Sequence, residues 1–99
     1  MSSNDPIYGK ATLYAGLQDM PNGGLTQRIL RAELFEENSP DSAWISELNL
    51  LGSLPWREEE ERSVEVRMLT DEFREYVKKN KPLLKVRRGC QIIGTLVIE

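Results

Sequence analysis

The stretch that decides the fold is LLKVRRGCQIIGTLVIE, residues 83–99. Two runs rich in valine, leucine and isoleucine flank Gly89, Cys90 and Gln91, and such a short break between apolar runs is typical of a β-hairpin. Gly89 is expected to supply the left-handed backbone of the turn, and Gly94 to mark a kink or bulge in the second strand. We therefore expect the last strand to be paired within a sheet.

Four further runs alternate between apolar and polar residues, at about 9–17, 26–35, 43–51 and 63–69. Alternation with a period of two is typical of a strand that has one buried face. Trp44 is expected to be a core anchor at a wet edge, because its indole N–H needs a partner; a surface contact is the alternative. The residues expected to point inward are Ala11, Leu13, Ala15, Leu17, Leu30, Ala32, Leu34, Trp44, Ser46, Leu48, Leu50, Val64, Val66 and Met68.

The period of the pattern changes after the fourth run, where a short helix is predicted over 71–79. Thr70 can act as its N-cap, and the acidic first turn and basic last turn suit the helix dipole. Phe73, Tyr76 and Val77 fall at i, i+3 and i+4, which predicts a single apolar stripe. We expect this helix to plug one end of the structure that the strands enclose.

Six strands separated by turn signals, with one short helix, predict an all-β domain that is an antiparallel barrel or a sandwich. Closure into a barrel would remove the unpaired sheet edges that favour aggregation. The 99 residues are expected to form one domain over 7–99, preceded by a flexible tail at 1–6. A polar N-terminus, one cysteine and the lack of a long apolar run predict a cytoplasmic protein that does not enter membranes.

Charge is unevenly distributed along a chain whose net charge is −3. Glu58, Glu59, Glu60 and Glu61 form an acidic run directly after Trp56. The basic residues of the second half are Lys78, Lys79, Lys81, Lys85, Arg87 and Arg88. The net charge disfavours binding of the whole molecule to nucleic acid, and a solvated surface is the preferred interpretation of both groups.

The sequence offers little for catalysis. Histidine is absent and a single cysteine cannot form a thiolate zinc site, so we expect no metal and no cofactor. Arg87 and Arg88 could lower the pKa of Cys90, but an ordinary turn residue is the preferred interpretation. Glu33 and Glu47 are expected to be outward-facing charges. The chain is therefore predicted not to be an enzyme, and no small-molecule substrate is indicated.

The segment KVRRGCQIIGTLV, residues 85–97, resembles the close of the third domain of elongation factor Tu. That family ends in a strand, an Arg-Glu-Gly-Gly/Ala-Arg turn and a β-branched pair before a glycine. Here Arg87 and Gly89 occupy the turn, and Ile92, Ile93 and Gly94 the positions after it. Upstream segments resemble other strands and turns of the same domain more loosely, at 8–17, 23–26, 31–35 and 64–69.

The resemblance implies a six-stranded Greek-key barrel, the C-terminal domain architecture of elongation factor Tu. In that family the domain packs on the GTPase domain and helps to hold the acceptor and T stems of tRNA. This chain departs at the turn, where Cys90 replaces a glycine and Gln91 the second arginine. No GTPase motif is present, so nucleotide hydrolysis is not expected.

The preferred hypothesis is a free-standing, non-enzymatic protein-binding barrel, for example a bacterial immunity protein that neutralises a toxin. Its predicted contact residues are Trp56, as aromatic anchor, and the neighbouring carboxylates Glu58, Glu59, Glu60 and Glu61. One alternative is a barrel that binds tRNA through the six basic residues named above. A further alternative is an accessory subunit that docks on a translation-type GTPase.

Overall fold

The computed structural model describes residues 6–17 and 24–99, which contain six strands and one helix. Apart from Pro6, the predicted tail at 1–6 lies outside the described residues, as does most of the predicted turn at 19–24. The elements of the described part are β1 Ile7–Leu13, β2 Ile29–Phe35, β3 Trp44–Leu50, β4 Arg62–Met68, α1 Asp71–Asn80, β5 Leu83–Arg88 and β6 Gln91–Ile98.

The six strands form a closed antiparallel barrel in the order β1-β4-β3-β2-β5-β6. Strands β2, β3 and β4 are sequential neighbours, and β1 lies beside β4, which is a Greek-key arrangement. Pairing of β1 with β6, for example of Lys10 with Val97, closes the ring. The predicted all-β barrel is confirmed, and the sandwich alternative is wrong.

The alternating pattern places the apolar residues inside the barrel. The inward positions of β2, β3 and β4 are confirmed, including the buried hydroxyl residue Ser46. The first strand differs from its prediction, because β1 starts at Ile7 and ends at Leu13, and Ala15 is exposed. Among residues 14–17, which are the last described before the gap, Tyr14 N donates to Ile93 O of β6, and residues 15–16 form a turn.

The C-terminal hairpin forms as predicted, and Gly89 adopts a positive φ of 64° in its turn. Val86 pairs with Gly94 but Arg87 with Ile92, so the bulge leaves Ile93 as the extra residue, one position before Gly94. Gly94 has a different role from the predicted kink. A Cβ on this residue would lie 2.3 Å from Thr12 O, so the glycine permits the close approach of β1.

Connections cross both ends of the barrel. Strands β4 and β5 lie three steps apart in the closed order in either direction, so the segment between them must cross the barrel mouth. That segment contains α1, and its residues Phe73 and Val77 belong to the core, as predicted for a plug. Tyr76 departs from the predicted stripe, because it is 43% exposed. The described part of the chain contains no helix long and apolar enough to cross a membrane.

Thr70 occupies the N-cap position of α1 with an extended backbone, at φ −112° and ψ 123°. Its side chain makes no capping hydrogen bond, so only the position and not the predicted interaction is confirmed. The acidic residues Asp71 and Glu72 lie in the first turn and Lys78 and Lys79 in the last, which matches the helix dipole. We call the end of the barrel that α1 crosses the helix end.

Candidate functional site

Trp56 does not lie on the surface. The connection between β3 and β4 folds over the end of the barrel opposite the helix end, and the indole of Trp56 has no exposed area. Its backbone pairs with that of Leu25 through two hydrogen bonds of 2.8 Å. The prediction that Trp56 is an aromatic anchor for a partner is therefore wrong, because the large apolar ring fills the core instead.

The acidic run after Trp56 is divided between internal contacts and solvent. Glu58 accepts a hydrogen bond from Leu17 N at 3.2 Å, and Glu60 pairs with Arg62 at 3.0 Å. Glu59 and Glu61 are exposed. Glu58 and Glu60 thus make contacts within the protein, whereas Glu59 and Glu61 belong to the solvated surface. The predicted contact of the acidic run with a partner stays a prediction.

The six predicted basic residues do not form one patch. Lys78, Lys79 and Lys81 lie at the helix end, whereas Arg88 lies beside the hairpin turn at the opposite end of β5. Lys85 donates to the hydroxyl of Tyr14 at 3.2 Å, which raises the pKa of Lys85. Arg87 pairs with the Glu33 carboxylate at 3.3 Å, and its Cζ lies over the Phe35 ring, 5.1 Å from the centroid.

One half of the barrel has a basic surface that differs from the predicted set of six basic residues. Strands β1, β5 and β6 are consecutive in the ring and contain no carboxylate. Their outward positions include Lys10 and Lys85, together with the exposed rings of Tyr8 and Tyr14. Strands β2, β3 and β4 instead each carry a glutamate, for example Glu47, which pairs with Arg31 at 3.1 Å.

Cys90 is exposed in the hairpin turn and free of a disulfide. Its predicted role as an ordinary turn residue matches its place between β5 and β6. Glu33 and Glu47 lie on outer faces and pair with arginines, as expected of surface charges. Within the described residues, no three His, Cys, Asp or Glu side chains are grouped so that they could hold a metal ion.

The most distinctive cavity lies at the helix end and has a volume of about 230 Å³. We call it the aromatic–acidic pocket. Its described lining combines three aromatic rings, two carboxylates and two serines, and contains no basic side chain. These residues are Glu36, Ser39, Ser42, Trp44, Glu72, Phe73 and Tyr76.

The barrel topology brings these residues together from two segments of the chain. In an antiparallel ring, the end of β2, the start of β3 and the end of β4 all lie at the helix end. The β2–β3 connection therefore meets the first turns of α1. Two successive backbone bonds, from Ser39 N to Glu36 O at 2.9 Å and from Ser42 N to Ser39 O at 3.0 Å, hold this connection as a compact rim.

Aromatic stacking forms the wall of the pocket. The rings of Trp44 and Phe73 lie 5.2 Å apart between centroids with an interplanar angle of 11°. Phe73 is buried and Trp44 half-buried, so one ring is in the core and the other reaches the cavity. A stacked pair of this kind contributes about 0.5–1.5 kcal/mol beyond its buried area, which stabilises the wall.

A short hydrogen bond joins the two segments at the pocket rim. The Tyr76 hydroxyl donates to Glu36 Oε1 at 2.5 Å. This bond, with smaller effects of desolvation and of the Glu36 charge, raises the pKa of Tyr76 above its ordinary value. A phenol is protonated at neutral pH and can donate this bond, and a carboxylate oxygen that accepts one bond keeps further acceptor capacity.

The second carboxylate, Glu72, lies in the first turn of α1 and is exposed. A negative side chain is favoured at this position because the partial positive charge of the helix N-terminus lies beside it. Glu36 and Glu72 thus place two negative charges at a cavity with aromatic walls. The arrangement can attract a cation and can give it both carboxylate and ring contacts.

Sequence reasoning missed this site, although part of the signal was present. Trp44 was expected at a wet edge of the core, and its half-buried position confirms that expectation. Tyr76 was assigned to the buried stripe, so its availability to the pocket was missed. The residues next to Glu36 in the sequence do not indicate that its side chain contacts Tyr76, which lies 40 positions away.

Comparison of the chain with protein-family models, with curated proteins and with solved structures finds no match in any of the three. The fold and the site themselves define the class: a closed six-stranded antiparallel β-barrel with an aromatic–acidic pocket at one end. The resemblance to the third domain of elongation factor Tu stays a prediction from the sequence motifs.

Proposed function

We propose that this barrel is a non-enzymatic protein-binding module that engages a basic protein through the aromatic–acidic pocket. The observation that carries the proposal is the combination of the Trp44, Phe73 and Tyr76 rings with the Glu36 and Glu72 carboxylates around one cavity. Aromatic contacts at a desolvated centre and complementary charge around it are what tight protein interfaces use.

The size of the pocket supports a protein partner. Its volume of about 230 Å³ is below the range of about 300–1,000 Å³ that is usual for small-molecule sites. A single side chain projecting from a larger surface suits such a cavity. The rim provides recognition groups, and the chain has no histidine that could activate Ser39 or Ser42 as a nucleophile.

The proposed site keeps the combination of an aromatic anchor and carboxylates that the sequence predicted, but it lies at a different end of the barrel. An aromatic anchor beside carboxylates was expected at Trp56 and residues 58–61, and the pocket provides such a pairing at the opposite end of the barrel. A toxin neutralised by this chain and a GTPase on which it docks are two forms of such a partner. A cytoplasmic location stays a prediction.

The test uses the tagged full-length chain as bait in three forms: wild type, Glu36→Gln/Glu72→Gln, and Glu59→Gln/Glu61→Gln. Both variants remove two negative charges, which changes the net charge from −3 to −1, so they are matched in overall electrostatics. Retained proteins are identified by mass spectrometry, purified, and measured by calorimetry against each form.

We expect a basic partner that binds the wild type and the Glu59→Gln/Glu61→Gln variant alike. Its affinity for the pocket variant should fall at least about tenfold, because one charge-assisted hydrogen bond contributes about 1.5–3 kcal/mol. An equal loss of affinity in both variants would indicate that the interaction depends on general charge attraction and not on the pocket. Loss confined to the Glu59→Gln/Glu61→Gln variant would restore the site predicted from sequence, and the absence of any partner would refute the proposal.

A second candidate function is RNA binding, favoured by the positions of Tyr8, Lys10 and Lys85 on strands that contain no carboxylate, with Tyr14 directly after β1. Lysines can contact phosphates while exposed rings stack with unpaired bases. This function predicts that tRNA is retarded at low salt, that added salt weakens binding steeply, and that Lys10→Ala/Lys85→Ala abolishes it. Unchanged tRNA mobility at low salt would exclude it.

A further inference from the structure

We infer that the aromatic–acidic pocket is selective for the guanidinium group of an arginine side chain on the partner. This inference rests on the proposed function and specifies which group the pocket takes. Cation recognition alone would also permit lysine, so the choice depends on the shape of the wall and on the hydration of the two cations.

The shape of the wall favours a planar cation. Trp44 and Phe73 are nearly parallel, with an interplanar angle of 11°, so they do not form the perpendicular sides of a cage. A guanidinium is planar and can stack on such a surface, whereas an ammonium is a compact point charge. The half-buried Trp44 ring, backed by the buried Phe73, therefore favours arginine, whose plane can stack on the part of the ring that stays exposed.

Hydration favours the same choice. A cation that contacts the aromatic rings of this cavity loses the water on the side that faces them. An ammonium is strongly hydrated and a guanidinium weakly, so desolvation costs lysine more. The guanidinium also has five N–H donors in a fixed plane, so it can donate to more than one acceptor of a lining that contains two carboxylates.

The protein already holds one of its own arginines in this manner. The Arg87 guanidinium lies over the Phe35 ring, with its Cζ 5.1 Å from the ring centroid, while its Nε donates to the Glu33 carboxylate at 3.3 Å. The pocket repeats this combination of ring and carboxylate with a larger ring surface and a second carboxylate, but its described lining has no arginine. A guanidinium from outside the chain would complete it.

The Tyr76 hydroxyl prepares the pocket for this ligand. By donating to Glu36 Oε1 it fixes one carboxylate at the rim and leaves the second oxygen of Glu36 to accept a bond from the ligand. The phenol is a neutral donor at neutral pH, as the ordinary pKa of a tyrosine already requires, so it adds no third negative charge. Tyr76 is thus a positioning residue for Glu36.

The experiment uses three glycine pentapeptides, blocked at both ends, with a central arginine, lysine or citrulline. Citrulline keeps the planar shape of arginine but lacks its charge. Each peptide is titrated into the ¹⁵N-labelled full chain in the millimolar range, and the indole N–H signals of both tryptophans are followed by NMR. Trp44 reports on the pocket, and the fully buried Trp56 at the opposite end is the internal control.

We expect the arginine peptide to shift the Trp44 signal and to leave the Trp56 signal unchanged. Lysine and citrulline peptides should bind about tenfold more weakly, since each lacks either the planar stacking or the charge. Glu36→Gln/Glu72→Gln should abolish the response, and Tyr76→Phe should weaken it while the Trp56 signal confirms an intact fold.

Equal affinity for arginine and lysine, or for arginine and citrulline, would overturn the inference, and so would an arginine titration that leaves Trp44 unmoved. In each of these cases the partner measurement described above still decides the proposed function separately. A basic partner that depends on Glu36 and Glu72 would then bind through other groups.

Discussion

Tyr76 and Glu36 lie 40 residues apart in the chain, and their side chains meet in a hydrogen bond of 2.5 Å at the rim of the aromatic–acidic pocket. The tyrosine comes from the exposed side of α1 and the glutamate from the connection after β2. This single contact joins the helix to the loop that forms the opposite side of the cavity. Because the bond raises the pKa of Tyr76, titration of this tyrosine reports whether the bond is formed.

The first prediction concerns the ionisation of Tyr76. The bond to Glu36 raises its pKa above 10.0, and Glu36→Gln should lower the pKa toward that value, because the acceptor loses its charge. Phenolate absorbance as a function of pH measures the change, and the difference between the wild type and Tyr76→Phe isolates Tyr76 from Tyr8 and Tyr14. An unchanged Tyr76 titration in Glu36→Gln would contradict the assigned cause.

The same shift has a consequence for stability at alkaline pH. A tyrosine whose pKa is raised in the folded state binds its proton more tightly there than in the unfolded chain, so its contribution is present below about pH 10 and is lost as the pH rises through the folded pKa. The pKa of Lys85 is also raised in the folded state, so its contribution to stability is likewise lost as the pH rises. The stability of Tyr76→Phe should thus fall less over this range, as urea denaturation at several pH values would reveal.

A second prediction separates the core role of Trp56 from a binding role. Trp56→Ala should destabilise the barrel by about 3–5 kcal/mol, because a fully buried ring leaves a large cavity. Denaturant unfolding measures the loss. The milder Trp56→Phe, if folded, should bind the partner like the wild type. Reduced affinity of that folded variant, with little change in stability, would restore Trp56 as a contact residue.

A third prediction tests the contact between β1 and β6. Gly94→Ala should destabilise by about 1–3 kcal/mol, because its Cβ would lie 2.3 Å from the backbone oxygen of Thr12 and the strands would have to separate. Gly89→Asn is the control, since asparagine tolerates the left-handed conformation of that turn and no atom crowds the position. Similar unfolding curves for Gly94→Ala and the wild type would argue against this packing.

A fourth prediction concerns Arg74, which is only 7% exposed although it is charged. Within residues 6–17 and 24–99, its Nε and Nη2 atoms have no hydrogen-bond partner. Because an unpaired buried charge is unfavourable, Arg74→Met should keep the fold and stabilise it by about 1 kcal/mol or more. Thermal and denaturant unfolding check this, with Arg67→Met as the exposed control. Marked destabilisation would indicate that the guanidinium has a partner.

The strand pattern was predictable because it depends on neighbouring residues. Leu30, Ala32 and Leu34 face inward as their spacing indicates, and Gly89 adopts the conformation its turn requires. The errors have a common physical origin. Trp56 was expected at the surface and is buried, whereas Tyr76 was expected in the apolar stripe and is exposed. The burial of an aromatic residue outside a strand depends on which connection covers it.

The sequence by itself therefore determined the class of fold, since a two-residue period and glycine-containing turns act within a few positions along the chain. Tertiary structure alone decided the site. Closing the ring placed β4 and β5 on opposite sides, sent α1 across the barrel mouth, and brought Phe73 and Tyr76 against Trp44 and Glu36. Contacts across such distances follow from strand order, which no local pattern encodes.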